Sequence, residues 1–164
     1  MNKEGHVLNA VLLGVGLGFV LEPSATVETL RMVVAVTVPV TLGALFPDVD
    51  TAFGTHRKTL HNLPMLAVFL AFPVVFGNLA YVWVGVLTHY VLDVLGSTRG
   101  IALFYPLSSS EFGFPAGVTT SSRFANVVTV VVTVVELAAA AALVHLLPRY
   151  VDTSAVADLA AVAG

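Results

Sequence analysis

The sequence predicts an all-α integral membrane protein, a bundle of about five transmembrane helices, or four if the shortest does not fully cross. Three observations predict it. Of 164 residues, 57% are hydrophobic and only 10% charged, whereas soluble domains carry about 25% charged residues to cover their water-facing surface. No Asp, Glu, Lys or Arg falls between Glu4 and Glu22, Arg31 and Asp48, Lys58 and Asp93, or Arg123 and Glu136; such gaps approach or exceed the about 20 apolar residues of a bilayer span. The apolar runs lack the alternation of a barrel strand, so helices are the element in which the backbone can satisfy itself in lipid.

The first span runs from about His6 to Leu21 and stops at Glu22-Pro23-Ser24. No small-x-small cleavage pattern precedes Glu22, so a retained helix is expected rather than a signal peptide. Gly14, Gly16 and Gly18 follow no strand, which favours close helix packing over a phosphate-cradling loop. The second span covers about Val27 to Phe46 and ends at Pro47, whose ring resists helical continuation. After a polar stretch from Asp48 to Asn62, the next uncharged block is too long for one helix. Pro73 and Gly77-Asn78 divide it into a tight hairpin with arms of about Leu63–Phe76 and Leu79–Leu95, both at the short end of the spanning range. Residues 96–122 form a Gly-, Ser- and Pro-rich loop or lid. The last span is about Phe124 to Leu147, followed by a weakly amphipathic tail, 149–164. The whole chain, 1–164, reads as one domain without internal repeats.

Alternating the sides of these spans puts Lys3, Arg57, Lys58, Arg99 and Arg123 on one face and Arg31 and Arg149 on the other, which assigns the first face to the cytoplasm. A net charge of −3 with scattered Lys and Arg offers no basic stripe for nucleic acid. The chain has no cysteine, so any metal must use nitrogen and oxygen ligands.

The same alternation delivers Asp48, Asp50, Asp93, His6, His56, His61 and His89 to the cytoplasmic end. His89 and Asp93, four apart, share one helix face, and Asp48 and Asp50 flank Val49 and can point the same way in extended backbone. Arg57 and His61 would share the face of a helical turn. Each residue alone has a plainer reading, as interfacial anchor, turn former or topogenic charge. Asp-x-Asp, His-Arg-x3-His and His-x3-Asp arriving together in a chain nearly free of charge point to one or two divalent ions, zinc or manganese, because so many carboxylates near lipid depth would otherwise repel one another. The metal candidates are His6, Asp48, Asp50, His61, His89 and Asp93.

These residues resemble the YdjM-like membrane-bound metal-dependent hydrolases. Gly43-x3-Pro47-Asp48-x-Asp50, His56-Arg57-x3-His61-Asn62, His89-x3-Asp93-x2-Gly96 and Phe104-Tyr105-Pro106-Leu107 look like the family signature, with His6 before a Gly-rich apolar helix, over about residues 5–107. Asn62 departs from it, since relatives commonly carry Ser there. The resemblance implies an inner-membrane location, a metal site and hydrolysis.

For a hydrolase, a bound ion would acidify water and polarise the scissile group, with Asp50 or His56 as catalytic carboxylate or imidazole beside Arg57. Arg57, by its planar fork, is the candidate grip on a phosphoryl oxygen, with Arg99 assisting. Headgroup depth suggests a lipid phosphate as substrate and membrane lipid as partner. The rival is a non-catalytic metal protein, a scaffold or transporter component; donors gathered at one end disfavour transport, which places them near the midplane. Glu136, about 18 Å along the last span at 1.5 Å per residue, reads as a functional acid beyond the site, a protonated acid bonded to a neighbouring helix, or a contact between two copies of the chain. His145 reads as an anchor at the opposite interface. Phe104, Tyr105 and Phe112 make the 96–122 loop either a lid over the metal or an aromatic-belt connector.

Overall fold

The computed structural model describes residues 2–76, 79–115, 117–119, 121–146 and 148. Among these described residues five α-helices run in chain order: α1 (Lys3–Leu21), α2 (Val27–Leu45), α3 (Leu63–Phe76), α4 (Val82–Gly96) and α5 (Ala125–His145). The start of α1 is fixed by Asn2, whose side chain accepts from Gly5 N at 2.9 Å, and that of α2 by a capping box between Thr26 and Thr29. A 3-10 turn, Pro47–Ala52, follows α2. Between α4 and α5 the chain is irregular, pinned by isolated bridges Ser97 to Val118 and Ile101 to Phe112.

Among the described residues three helices are long and apolar enough to cross a bilayer: α1, α2 with its 3-10 turn, and α5. At 14 and 15 residues, α3 and α4 reach only about 21–23 Å at 1.5 Å per residue, short of the roughly 30 Å hydrocarbon core. The expected hairpin arms are therefore both present and both short. The second starts at Val82 rather than Leu79, and its proposed turn, Gly77-Asn78, lies outside the described residues, as do Arg149 and the tail 149–164. Pro73 sits inside α3, and none of the α3 side chains is buried. An apolar helix without a buried face suits lipid.

The core is a bundle of α1, α2, α4 and α5, with α2 between α1 and α4. Ala10, Leu13 and Leu17 of α1 interlock with Val36, Val40 and Ala44 of α2. Glycine sets the closest approaches. A Cβ on Gly85 would lie 2.0 Å from Val40 O and 2.6 Å from Ala44 N, so α2 and α4 meet backbone to backbone. The expected packing role of the α1 glycines is present as well: at Gly14 a Cβ would stand 2.6 Å from Thr37 Cα, and at Gly18 2.6 Å from Val33 Cα, both in α2.

Candidate metal centre

The helix order brings the start of α1, the turn after α2, the loop before α3 and the end of α4 to one end of the bundle. There His6, Asp50, His61, His89 and Asp93 are all at most 1% exposed. This is the convergence expected from the spacing, achieved with different local geometry. Asp48 and Asp50 are not in extended backbone: Pro47, at the first position, presets φ for a helical turn and both aspartates ride on it. Nor do Arg57 and His61 share a helical turn. Arg57 has φ +68°, in the left-handed region that side chains rarely adopt, and Ala102 N donates to its carbonyl at 2.9 Å. Arg57 and His61 nevertheless meet at Asp93, with Nη2 3.6 Å from Oδ1 and Nε2 3.8 Å from Oδ2.

Hydrogen bonding fixes which imidazole nitrogens remain free. His89 Nδ1 lies 2.7 Å from Ala44 O, an acceptor that forces the proton onto Nδ1. His61 Nδ1 lies 2.9 Å from Asp50 Oδ2 and is held the same way. The neutral rings therefore carry lone pairs on Nε2, and these two atoms face each other at 3.1 Å. Burial holds the pKa of His61 below its usual value against the upward pull of Asp50 and Asp93, keeping the ring neutral as ligation requires. Asp93 Oδ2 is 3.7 Å from His89 Nε2. Asp48 Oδ1 is 3.7 Å from His89 Nε2 and 3.9 Å from His61 Nε2.

Two donor groups flank this meeting point, His6 with His89 and Asp93, and Asp48 with His56 and His61; within each, one ligand atom per residue lies within 4.8 Å of the others. A divalent cation fits them. Two nitrogens about 2.0–2.1 Å from one zinc ion at a tetrahedral angle stand about 3.4 Å apart, close to the observed pair. A shared proton would relieve the two lone pairs but leaves unexplained why two carboxylates aim at the same point from beyond hydrogen-bond range. His6 gives a second sign: fully buried and stacked on His89 at 3.7 Å between centroids, it has no hydrogen bond at either nitrogen, and its Nε2 is 3.4 Å from Asp93 Oδ1.

A scan against family models matches the YdjM inner membrane protein family over residues 1–157. The chain belongs to the YdjM family. No curated protein and no solved structure matches it. In this YdjM-family chain, helices apolar enough for a membrane carry, at one end, side-chain groups able to hold a metal ion.

The remaining candidates fall into place around that centre. Asp50 spends both oxygens on imidazoles, Oδ1 on His56 Nδ1 at 3.0 Å and Oδ2 on His61 Nδ1. So placed, Asp50 would orient these imidazoles toward a bound ion. Asp50→Asn, which replaces one acceptor oxygen by a donor, is expected to weaken zinc binding by about 10–100-fold without abolishing it, measured by competition with a chromogenic chelator. Arg57 Nη1 contacts Ser97 Oγ and the carbonyls of Arg99 and Gly100, clamping the loop after α4. The Arg99 guanidinium points away, paired bidentately with Glu111 at 2.8 and 2.9 Å on the surface; that pair raises the pKa of Arg99 and lowers that of Glu111. Asn62 caps α3, its Oδ1 accepting from Met65 N at 3.0 Å. A shallow cleft of about 270 Å³, lined by Lys3, Leu45, Asp48, Val49, Thr51 and Ala52, reaches the centre at Asp48.

Sequence reasoning missed Asn9, Thr88 and Ser97. Ser97 Oγ donates to Asp93 O at 2.8 Å, linking Arg57 to the end of α4. Asn9 and Thr88 bond Glu136, which is thus tied to neighbouring helices within one turn of His6 and His89. The signal was available in principle, since Asn9 is a strongly polar residue inside an otherwise apolar span.

Proposed function

We propose that this chain is a membrane-embedded, metal-dependent hydrolase that cleaves a phosphoester of a lipid phosphate at the cytoplasmic headgroup layer. One observation carries the reading: the Nε2 atoms of His61 and His89, both stripped of protons by their partners, face each other at 3.1 Å with Asp48 and Asp93 beside them. Held there, a divalent ion would act as a Lewis acid, polarising a phosphoryl oxygen and making water more acidic. Six donor side chains exceed the four of a closed tetrahedral site, so His6 and His56 are left for a second ion or for chemistry.

His56 suits the proton-transfer role. Its Nδ1 is held by Asp50, the partner that orients a general base, and its ring is 39% exposed where the other three imidazoles are buried. Arg57 offers Nη2 to a phosphoryl oxygen, while its Nη1 keeps the loop in place. The cleft ending at Asp48, with Lys3 in its wall, supplies an approach for an anionic headgroup. The Lys and Arg distribution supports the cytoplasmic side.

His56→Ala in the zinc- or manganese-loaded full-length protein is expected to retain the metal while phosphate release from a panel of lipid phosphates falls about 10²-fold, the lower range for loss of a general acid–base group. If the loaded parent releases no phosphate from that panel, the non-catalytic scaffold takes precedence.

A further inference from the structure

Between the metal centre and the middle of the bundle lies a second polar cluster, built from three helices. Asn9 of α1, Thr88 of α4, and Thr133 and Glu136 of α5 bond one another. Asn9 Nδ2 lies 2.9 Å from Thr133 Oγ1 and 2.8 Å from Glu136 Oε2, and Thr88 Oγ1 lies 2.6 Å from both Asn9 Oδ1 and Glu136 Oε1. The Thr133 hydroxyl gives its proton to Thr129 O at 2.8 Å.

Counting protons settles the charge of the acid. Thr88 has one hydroxyl proton and two close oxygen neighbours. Asn9 Oδ1 cannot donate, so the Thr88 proton serves it, and the contact with Glu136 Oε1 closes only with a proton on the carboxyl. Exchanging the Asn9 amide nitrogen and oxygen, a reassignment that heavy-atom positions allow, moves the problem without removing it. The Asn9 oxygen would then stand 2.8 Å from Glu136 Oε2, and again the acid must supply the proton. Among the described residues no cation pairs with Glu136, as a charged carboxylate in an apolar helix would require.

Asn9 is one turn beyond His6 on α1, and Thr88 directly precedes His89 on α4. We infer that Glu136 is a neutral carboxylic acid that positions His6 and His89 by locking α1 and α4 onto α5 beneath the metal centre, a role that rests on the metal reading above. It is a positioning residue: it contacts neither ion nor substrate.

The test uses full-length protein in lipid nanodiscs. In metal-free samples at neutral pH, the infrared difference between parent and Glu136→Gln is expected to show the loss of a protonated-carboxyl C=O band. Zinc titration is expected to show Glu136→Gln, whose amide both donates and accepts, within about threefold of the parent, and Glu136→Leu weaker by about tenfold, within the range over which a packed polar network modulates a site it does not touch. Loss of carboxylate bands in place of the acid band would overturn the neutral acid. Zinc affinity unchanged in Glu136→Leu would overturn the positioning role. A parent that binds no zinc would remove the metal reading and the positioning role with it, while the infrared band would still decide the protonation.

Discussion

Asp93→Ala is expected to strip the protein of high-affinity metal and to destabilise it even when no metal is supplied. Asp93 is where Arg57 and three imidazoles meet: His6 Nε2 at 3.4 Å, Arg57 Nη2 at 3.6 Å, His89 Nε2 at 3.7 Å and His61 Nε2 at 3.8 Å. Removing it deletes a carboxylate of the proposed ligand set and deprives the Arg57 guanidinium, 8% exposed, of its acidic partner. Breaking a buried pair from one side costs about 3–5 kcal/mol. The two effects separate by measurement: elemental analysis reports the metal, and thermal unfolding in detergent with and without added zinc reports the rest. A variant that keeps full metal content and the parent's melting temperature would contradict this arrangement. Asp93→Asn, which retains an oxygen for Arg57, should lose metal comparably but less stability.

Gly85→Ala is the second large effect, acting through the fold. The new methyl would sit 2.0 Å from Val40 O and 2.6 Å from Ala44 N, and backbone cannot swing aside as a side-chain tip does. Overpacking of this kind costs typically 1–3 kcal/mol, and a clash of methyl with backbone across a helix pair belongs at the upper end. Separating α2 from α4 also stretches the bond from His89 Nδ1 to Ala44 O, so zinc affinity should fall together with stability. Gly16→Ala is the internal comparison. Its Cβ would meet chiefly the Leu137 methyl groups, at 2.5 and 2.6 Å, which can rotate away. Equal losses for the two variants, read from unfolding midpoints, would mean that the α2–α4 contact is not the tight one.

The helices were legible because lipid is an unforgiving solvent: charge-free runs of spanning length have few structures open to them, and Glu22-Pro23 and Pro47 mark where those runs stop. The gathering of His6, His61, His89 and Asp93 was legible for the same reason, since alternating spans assign each residue to an end. What alternation cannot supply is distance within that end. The sequence reading offered Asp50 as a metal candidate; that its two oxygens face His56 and His61 is set by contacts between residues 6 and 11 positions apart in an irregular loop. The 3-10 turn carrying Asp48 could have been read from Pro47 at its start. The left-handed Arg57 could not, because its conformation is sustained by Ser97 to Ala102, some 40 residues onward. Glu136 looked remote from the site when measured along its own helix; packing of α5 on α1 and α4 sets it beside Asn9 and Thr88 instead.

X-ray absorption at the zinc edge of loaded, full-length protein addresses the facing nitrogens of His61 and His89 most directly. The expected spectrum has only nitrogen and oxygen neighbours, with the multiple-scattering signature of at least two imidazoles, one fewer in His89→Ala. A spectrum without imidazole, or one unchanged by His89→Ala, would contradict the site.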